Sequence, residues 1–195
     1  MKLFNLTSVK LGSLTLAFTG VRLYEPKDAA FIINKLRSKG GFIFQALDPL
    51  AVASSKHILL GVALALKSYD EDRMIARDLN IEVMLYLAGV RQIKEAIAKV
   101  GIKGFSREVV LLCLARGEEE ALRLVADTIT DLGGVDDETL VDDIEPKAYH
   151  LMKTYSISEE EVKSSMTEES SWFEALIRCV LSRVAMVDVL KELAS

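Results

Sequence analysis

A chain of 195 residues, half of them hydrophobic and 27% charged, can bury a core of its own and is not a disordered polymer. The longest apolar stretch, Ile58 to Leu66, is too short to cross a bilayer. The opening stretch, Met1 to Leu16, lacks the basic head and cleavage site of a secretory leader, so a cytoplasmic protein with no membrane partner is expected. Charge is uneven: Met1 to Arg107 holds 16 Lys and Arg against 9 Asp and Glu, and Glu108 to Ser195 holds 8 against 20. An anionic partner on one side is therefore compatible with a net charge of −5.

Leu14, Leu16 and Phe18 alternate as in a half-buried strand over residues 14–23. Glu25-Pro26 is expected to open a helix through Ile32, Ile33 and Leu36, because proline in the first turn loses no hydrogen bond; Gly40-Gly41 stops it. Phe42 to Leu47 reads as a second strand. Ser55 is expected to cap a helix to about Tyr69 whose leucines lie all round and enclose it. Ile81 to Ala88 alternates and predicts a third strand, followed by a helix over 91–100 with Ile93, Ala96, Ile97 and Val100 facing inward and Gly101 as its stop. Val109 to Leu114, apolar on both faces, suits a central strand. Glu118 to Leu132 is helical, with an acidic start that suits the helix dipole. An acidic loop over 133–143 precedes a short helix from Pro146 to Tyr155. Ser158 with Glu161, and Ser171 with Glu174, have capping-box spacing and open two more helices. The sum is one α/β domain over 1–195, a sandwich of about four largely antiparallel strands and about seven helices, closed by a helix over about 172–193.

Motifs for chemistry are missing. No phosphate loop, dinucleotide turn, HExxH or GxSxG occurs. Cys113 and Cys179 read as buried thiols without disulfide or metal. Asp136-Asp137-Glu138 lacks calcium-loop spacing, and Glu159-Glu160-Glu161 sits at a helix start, where acids are expected in any case. His57 is read first as a packed or capping imidazole, with nucleic-acid contact as an alternative. A catalytic pairing with Cys113 or Cys179 would need hydrogen-bond reach. No catalytic residue, metal, cofactor or small-molecule substrate is assigned.

Gln45 to Lys103 carries several pieces of a family pattern in order. Leu47-Asp48-Pro49 precedes a leucine/alanine helix rooted at His57. Ile75-Ala76-Arg77 leads to Glu82 through Ala88. Gly89, Arg91, Gln92 and Ile93 form a Gly-x-Arg-Gln-Ile turn into a helix ending Val100-Gly101-Ile102-Lys103. Near the C-terminus, Arg183-Val184-Ala185-Met186-Val187-Asp188-Val189 matches a closing helix. Together these resemble the KEOPS accessory-subunit family that includes the human PRPK-binding protein, in its archaeal-type form. The match departs at Glu159 to Trp172, which is more elaborate, and at Val90, which stands where the family is often polar.

The resemblance implies a non-catalytic subunit of the complex that makes threonylcarbamoyladenosine in tRNA. Such a subunit binds the kinase-like ATPase subunit and grips the single-stranded 3′ CCA end of tRNA. Cations for phosphates and apolar surfaces for splayed bases are what such a grip requires. The candidates are Lys56, His57, Arg73, Arg77, Arg91 and Lys94. Arg91 at a helix start opposes the dipole, which points to a purpose other than helix stability. The closing helix is broadly apolar, and Leu181, Arg183, Val184, Met186, Val187 and Leu190 are the expected contacts to the kinase-like subunit. The alternative is a regulatory adaptor of that subunit without direct tRNA binding.

Overall fold

The computed structural model describes residues 4–40 and 42–192, apart from the side chains of Leu190 and Glu192. Contacts divide the chain into two compact units, Met1–Pro49 with Ile102–Val141 and Leu50–Gly101 with Asp142–Ser195.

The first unit is an open, wholly antiparallel sheet. Its strands are β1 (Thr7–Leu11), β2 (Leu14–Asp28), β3 (Ile43–Leu47), β4 (Phe105–Ala115) and β5 (Gly134–Asp136). The order is β1-β2-β4-β3, with β5 paired to the far part of β2. The expectation of an α/β protein with a small antiparallel sheet holds, and β4 is central as its two-sided apolar run implies. Helices α1 (Ala29–Arg37) and α5 (Glu118–Leu132) share one core with the odd-numbered side chains of β2 and β4, including Ala17, Val21, Val109, Leu111 and Cys113.

Pro26 does not open a helix. It lies inside β2, between Arg22 and Lys27, where the register to β4 shifts; a bulge is where a strand tolerates a residue without an N–H. The cap of α1 is Asp28, which accepts from the amides of Ala30 and Phe31 at 2.9 and 3.4 Å. The stretch expected as an acidic loop holds β5 and a helical turn α6 (Thr139–Asp142). Gly20 permits this turn to approach, since a Cβ there would stand 2.2 Å from the Asp137 carbonyl oxygen.

The second unit is helical: α2 (Ser55–Asp70), α3 (Leu79–Ala88), α4 (Ile93–Val100), α7 (Ala148–Tyr155), α8 (Glu159–Ser164) and α9 (Trp172–Glu192). The expected strand over 81–88 is therefore a helix. Eight of its side chains are buried, from Leu79 through Ala88, so no polar face imprints a helical period on the sequence. Its ends are marked. Asp78 accepts from the Asn80 amide at 2.7 Å, and Gly89 closes it in the left-handed conformation, φ +64°.

Three further expectations change in detail. Ser54, not Ser55, caps α2. That helix is buried along one side only, through His57, Ile58, Gly61, Val62, Ala65 and Ser68. Gly101 ends α4 with φ −75°, an ordinary extended conformation. Of the two capping boxes, Ser171 and Glu174 complete theirs, exchanging bonds in both directions; at the other the Glu161 amide donates to Ser158 Oγ at 3.2 Å, while the Glu161 carboxylate turns to Arg183.

Candidate functional site

All the candidate site residues fall in the second unit. Its α2 and α3 run antiparallel, pinned at one end by His57 Nε2 against the Leu87 carbonyl (2.9 Å) and at the other by Ser68 Oγ against Glu82 (3.2 Å). At 1.5 Å rise per residue the pins are about 16 Å apart along α2 and about 8 Å apart along α3. This separation splits the expected cations. Arg73, whose amide bonds Ser68 O at 2.8 Å, and Arg77 stand at the Ser68 end. Lys56, Arg91 and Lys94 stand at the His57 end, around the α3–α4 turn.

The two ends differ in chemistry. At the first, the Arg73 guanidinium is taken by Glu71 in its own turn, a pair that raises its pKa. At the second, Lys56, Arg91 and Lys94 are exposed. Ile93 and Ile97 lie beside them, 44% and 46% exposed. Both isoleucines were expected to face inward; only Ala96 and Val100 of that helix are buried. An apolar surface next to cations at the α4 start is the feature that sequence reasoning missed. Its signal was present in the brevity of α4, since eight residues seldom need four inward side chains.

His57 is fully buried and is no surface contact. Its Nδ1 accepts from the Ala53 amide at 3.2 Å, so Nε2 carries the proton that goes to Leu87 O. Burial, with Lys147 nearby, lowers its pKa to about 4 although the Leu87 bond pulls the other way. Tyr155 stands edge-on at 5.7 Å, and its hydroxyl donates towards Leu87 O and Ala51 O at 3.0 and 2.8 Å. The imidazole is a neutral bracket between the start of α2 and the end of α3, not a general base beside a thiol. Cys179 Sγ instead faces Ser165 Oγ at 3.2 Å. Among the described residues no group of three His, Cys, Asp or Glu side chains is placed to hold a metal ion.

The last helix sorts its residues clearly. Val184 and Val187, expected on the partner face, are wholly buried together with Leu176 and Val180. Arg183 is turned inward as well, bonding the Tyr155 and Ser156 carbonyls at 3.2 Å each and the Glu161 carboxylate at 2.8 Å. Leu181 is half-buried, and the Leu190 side chain lies outside the described residues. Met186 is exposed as expected, at 43%, and Val189 joins it at 45%. With Ser182 and Ala185 they form an i, i+3, i+4, i+7 stripe open to solvent. Gly89 meets this helix from below: a Cβ there would lie 2.9 Å from Arg183 Cβ and 3.1 Å from its backbone carbonyl.

A helical unit with a packed histidine, exposed cations beside isoleucines and a solvent-facing apolar stripe defines a protein built for contacts. The chain belongs to the kinase binding protein CGI-121 family, whose model matches residues 18–188. It is also similar to the regulatory protein Cgi121 of Methanocaldococcus jannaschii, at 26% identity over 152 residues, 78% of this chain and 88% of that protein. No helix among the described residues is long and apolar enough to cross a membrane.

Proposed function

We propose that this chain is a cytoplasmic, non-catalytic subunit of the KEOPS complex for tRNA threonylcarbamoyladenosine synthesis, acting over 1–195 as one adaptor module. It docks the kinase-like ATPase subunit on the Ser182, Ala185, Met186 and Val189 stripe and receives the 3′ CCA end of tRNA at the start of α4. The observation that carries the first part is the stripe itself: Val184 and Val187 hold the helix to its own core, leaving the opposite side for a partner in a family of kinase binding proteins. Support for the second is the joint exposure of Arg91, Lys94, Ile93 and Ile97, which offers charge for phosphates and apolar area for bases. Since the expected cations divide between two ends, the His57 end is assigned the tail and Arg73 and Arg77 are secondary.

One set of variants tests both parts. Met186→Glu and Val189→Glu should abolish binding of the kinase-like subunit without lowering thermal stability, whereas Val184→Glu should unfold the protein. Arg91→Glu and Lys94→Glu should each weaken binding of intact tRNA roughly tenfold and flatten the salt slope by about one. Wild type should prefer tRNA with its CCA end over tRNA without it at one fixed salt. Equal binding of both tRNAs, with kinase docking still lost in Met186→Glu, would leave the regulatory adaptor that binds no tRNA. Normal docking by Met186→Glu and Val189→Glu would remove the stripe.

A further inference from the structure

Distant from these residues in sequence, the first unit has a surface cavity of about 430 Å³ lined by Ser8, Lys10, Thr15, Arg116, Gly117 and Glu118. The fold assembles it from three strand ends and a helix start. Lys10 is the register partner of Thr15, and Thr15 of Ala115, so the end of β1, the start of β2 and the end of β4 lie side by side. Cross-strand partners share a face. Alternation puts Thr15 on the face of Ala17 and Val21, the one that α5 covers. At this edge α5 begins, and its cap, Gly117, has no side chain to bond the first-turn amides. Gly117 and Glu118 line the cavity, so the positive end of a fifteen-residue helix stands at its wall.

The second observation is Thr15. Its side chain is 7% exposed, yet its hydroxyl has no bonding partner among the described residues. No solvent-excluded side-chain polar atom goes unbonded there, so this hydroxyl reaches solvent, and the cavity is where Thr15 meets it. Lys10 and Arg116 form no ion pair among the described residues. The counter-argument is Glu118, whose carboxylate also lines the cavity. It is drawn to β1, where Ser8 Oγ donates to it at 2.6 Å.

We propose that this cavity binds one phosphate group, free or carried on a small molecule, between Lys10, Arg116, the Thr15 hydroxyl and the first-turn amides of α5. Glu118 lines the cavity, and with Glu119 and Glu120 it makes the first turn of α5 acidic; these charges repel a chain of phosphates, which selects a small ligand over a nucleic-acid backbone. The test is titration of the intact chain with inorganic phosphate, and separately with a nucleoside monophosphate, at constant ionic strength, read by amide shifts of residues 117–120. Shifts that saturate in the millimolar range or below are expected. Arg116→Gln should weaken binding roughly tenfold and Thr15→Val several-fold, valine being a strand former of the same shape. Glu118→Gln should tighten it about threefold, because it lifts a repelling charge and keeps an acceptor for Ser8. A monophosphate that binds more tightly than phosphate assigns the ester, and equal affinity assigns the free ion. Absent or unsaturable shifts, indifference to Thr15→Val and Arg116→Gln, or weaker binding by Glu118→Gln would each overturn the assignment.

Discussion

Glu82 is a carboxylate in the middle of a buried helix, and its cost and reward can be worked from its four bonds. Oε2 accepts from the amides of Ile75 and Ala76 at 2.9 and 2.8 Å. Oε1 accepts from Ser68 Oγ and from Lys191 Nζ, at 3.2 and 2.7 Å. Lys191, 8% exposed, places its two remaining protons on Ser68 Oγ and the Tyr86 hydroxyl at 2.7 and 2.8 Å, and Tyr86 in turn donates to Asp188. Donors and acceptors are all matched, so removing one charge strands the other. Breaking a buried pair costs about 3–5 kcal/mol, whereas replacing both partners is close to neutral. Glu82→Gln should lose about 3 kcal/mol. Lys191→Met should lose somewhat less, since Glu82 keeps three donors. The double variant should recover at least about 2 kcal/mol of the summed loss. Urea unfolding with an unchanged denaturant slope measures all three. Additive losses, or single losses under about 0.5 kcal/mol, would mean that the pair behaves like a surface ion pair and that the last turns of α9 are held by Val187 alone.

Gly89→Ala should destabilise by about 2–4 kcal/mol, because it forces a Cβ into φ +64° and against Arg183; a loss under 1 kcal/mol in urea unfolding would show that α9 shifts freely. The pH profile of stability carries two signs. His57, at about 4 in the fold against an ordinary 6.5, binds its proton more readily unfolded, so stability should fall by about 3 kcal/mol as pH drops from 6.5 towards 4; a resonance assigned to His57 that titrates near 6.5 would refute this. Burial lowers Lys147 from 10.5 to about 8 and raises Cys113 from 9 to about 12. Stability should therefore rise by about 1 kcal/mol between pH 8 and 9, level while the two effects oppose, and decline above, where Tyr86, also raised by burial, adds to the loss. Lys147→Met should erase the rise and keep the decline.

What was legible follows the physics of half-buried elements. Helix α5 was expected to the residue because its acidic start and apolar face are local signals, and the capping serines Ser158 and Ser171 are read the same way. Helix α3 was not, because a segment buried all round shows no period, and Ile81, Val83, Leu85 and Leu87 imitate a strand. Asp78 and Gly89 were available as cap and stop and outweigh such alternation in a stretch this short. Short β1 and β5 draw their pairing from β2, which no window of their own sequence contains. Val184 and Val187, expected to face a partner, belong to the core of the second unit: they are as apolar as Met186 and Val189, and only the packing around them separates core from surface.

The residues that carried the family resemblance turn out to be neighbours of one another. Gly89, from one stretch, lies under Arg183, from another far along the chain. Ile75 and Ala76 give their amides to Glu82. His57 is bonded to Leu87. Each pair fixes helices α2, α3 and α9 of the second unit against one another, and each involves a group that few other side chains could replace. Of the same motifs, Arg77, Arg91, Gln92, Ile93, Lys103 and the Ala185, Met186 and Val189 side of α9 are exposed. The pattern therefore specifies the framework more firmly than the contacts. For this reason it identifies the family across a chain that is 26% identical to its relative, while the residues proposed for tail binding and docking rest on exposure. The framework also explains why exposure is informative here: with α9 fixed by Val184, Val187 and the Glu82–Lys191 pair, its outer stripe is a rigid surface, and a rigid apolar surface gives up little entropy when a partner covers it.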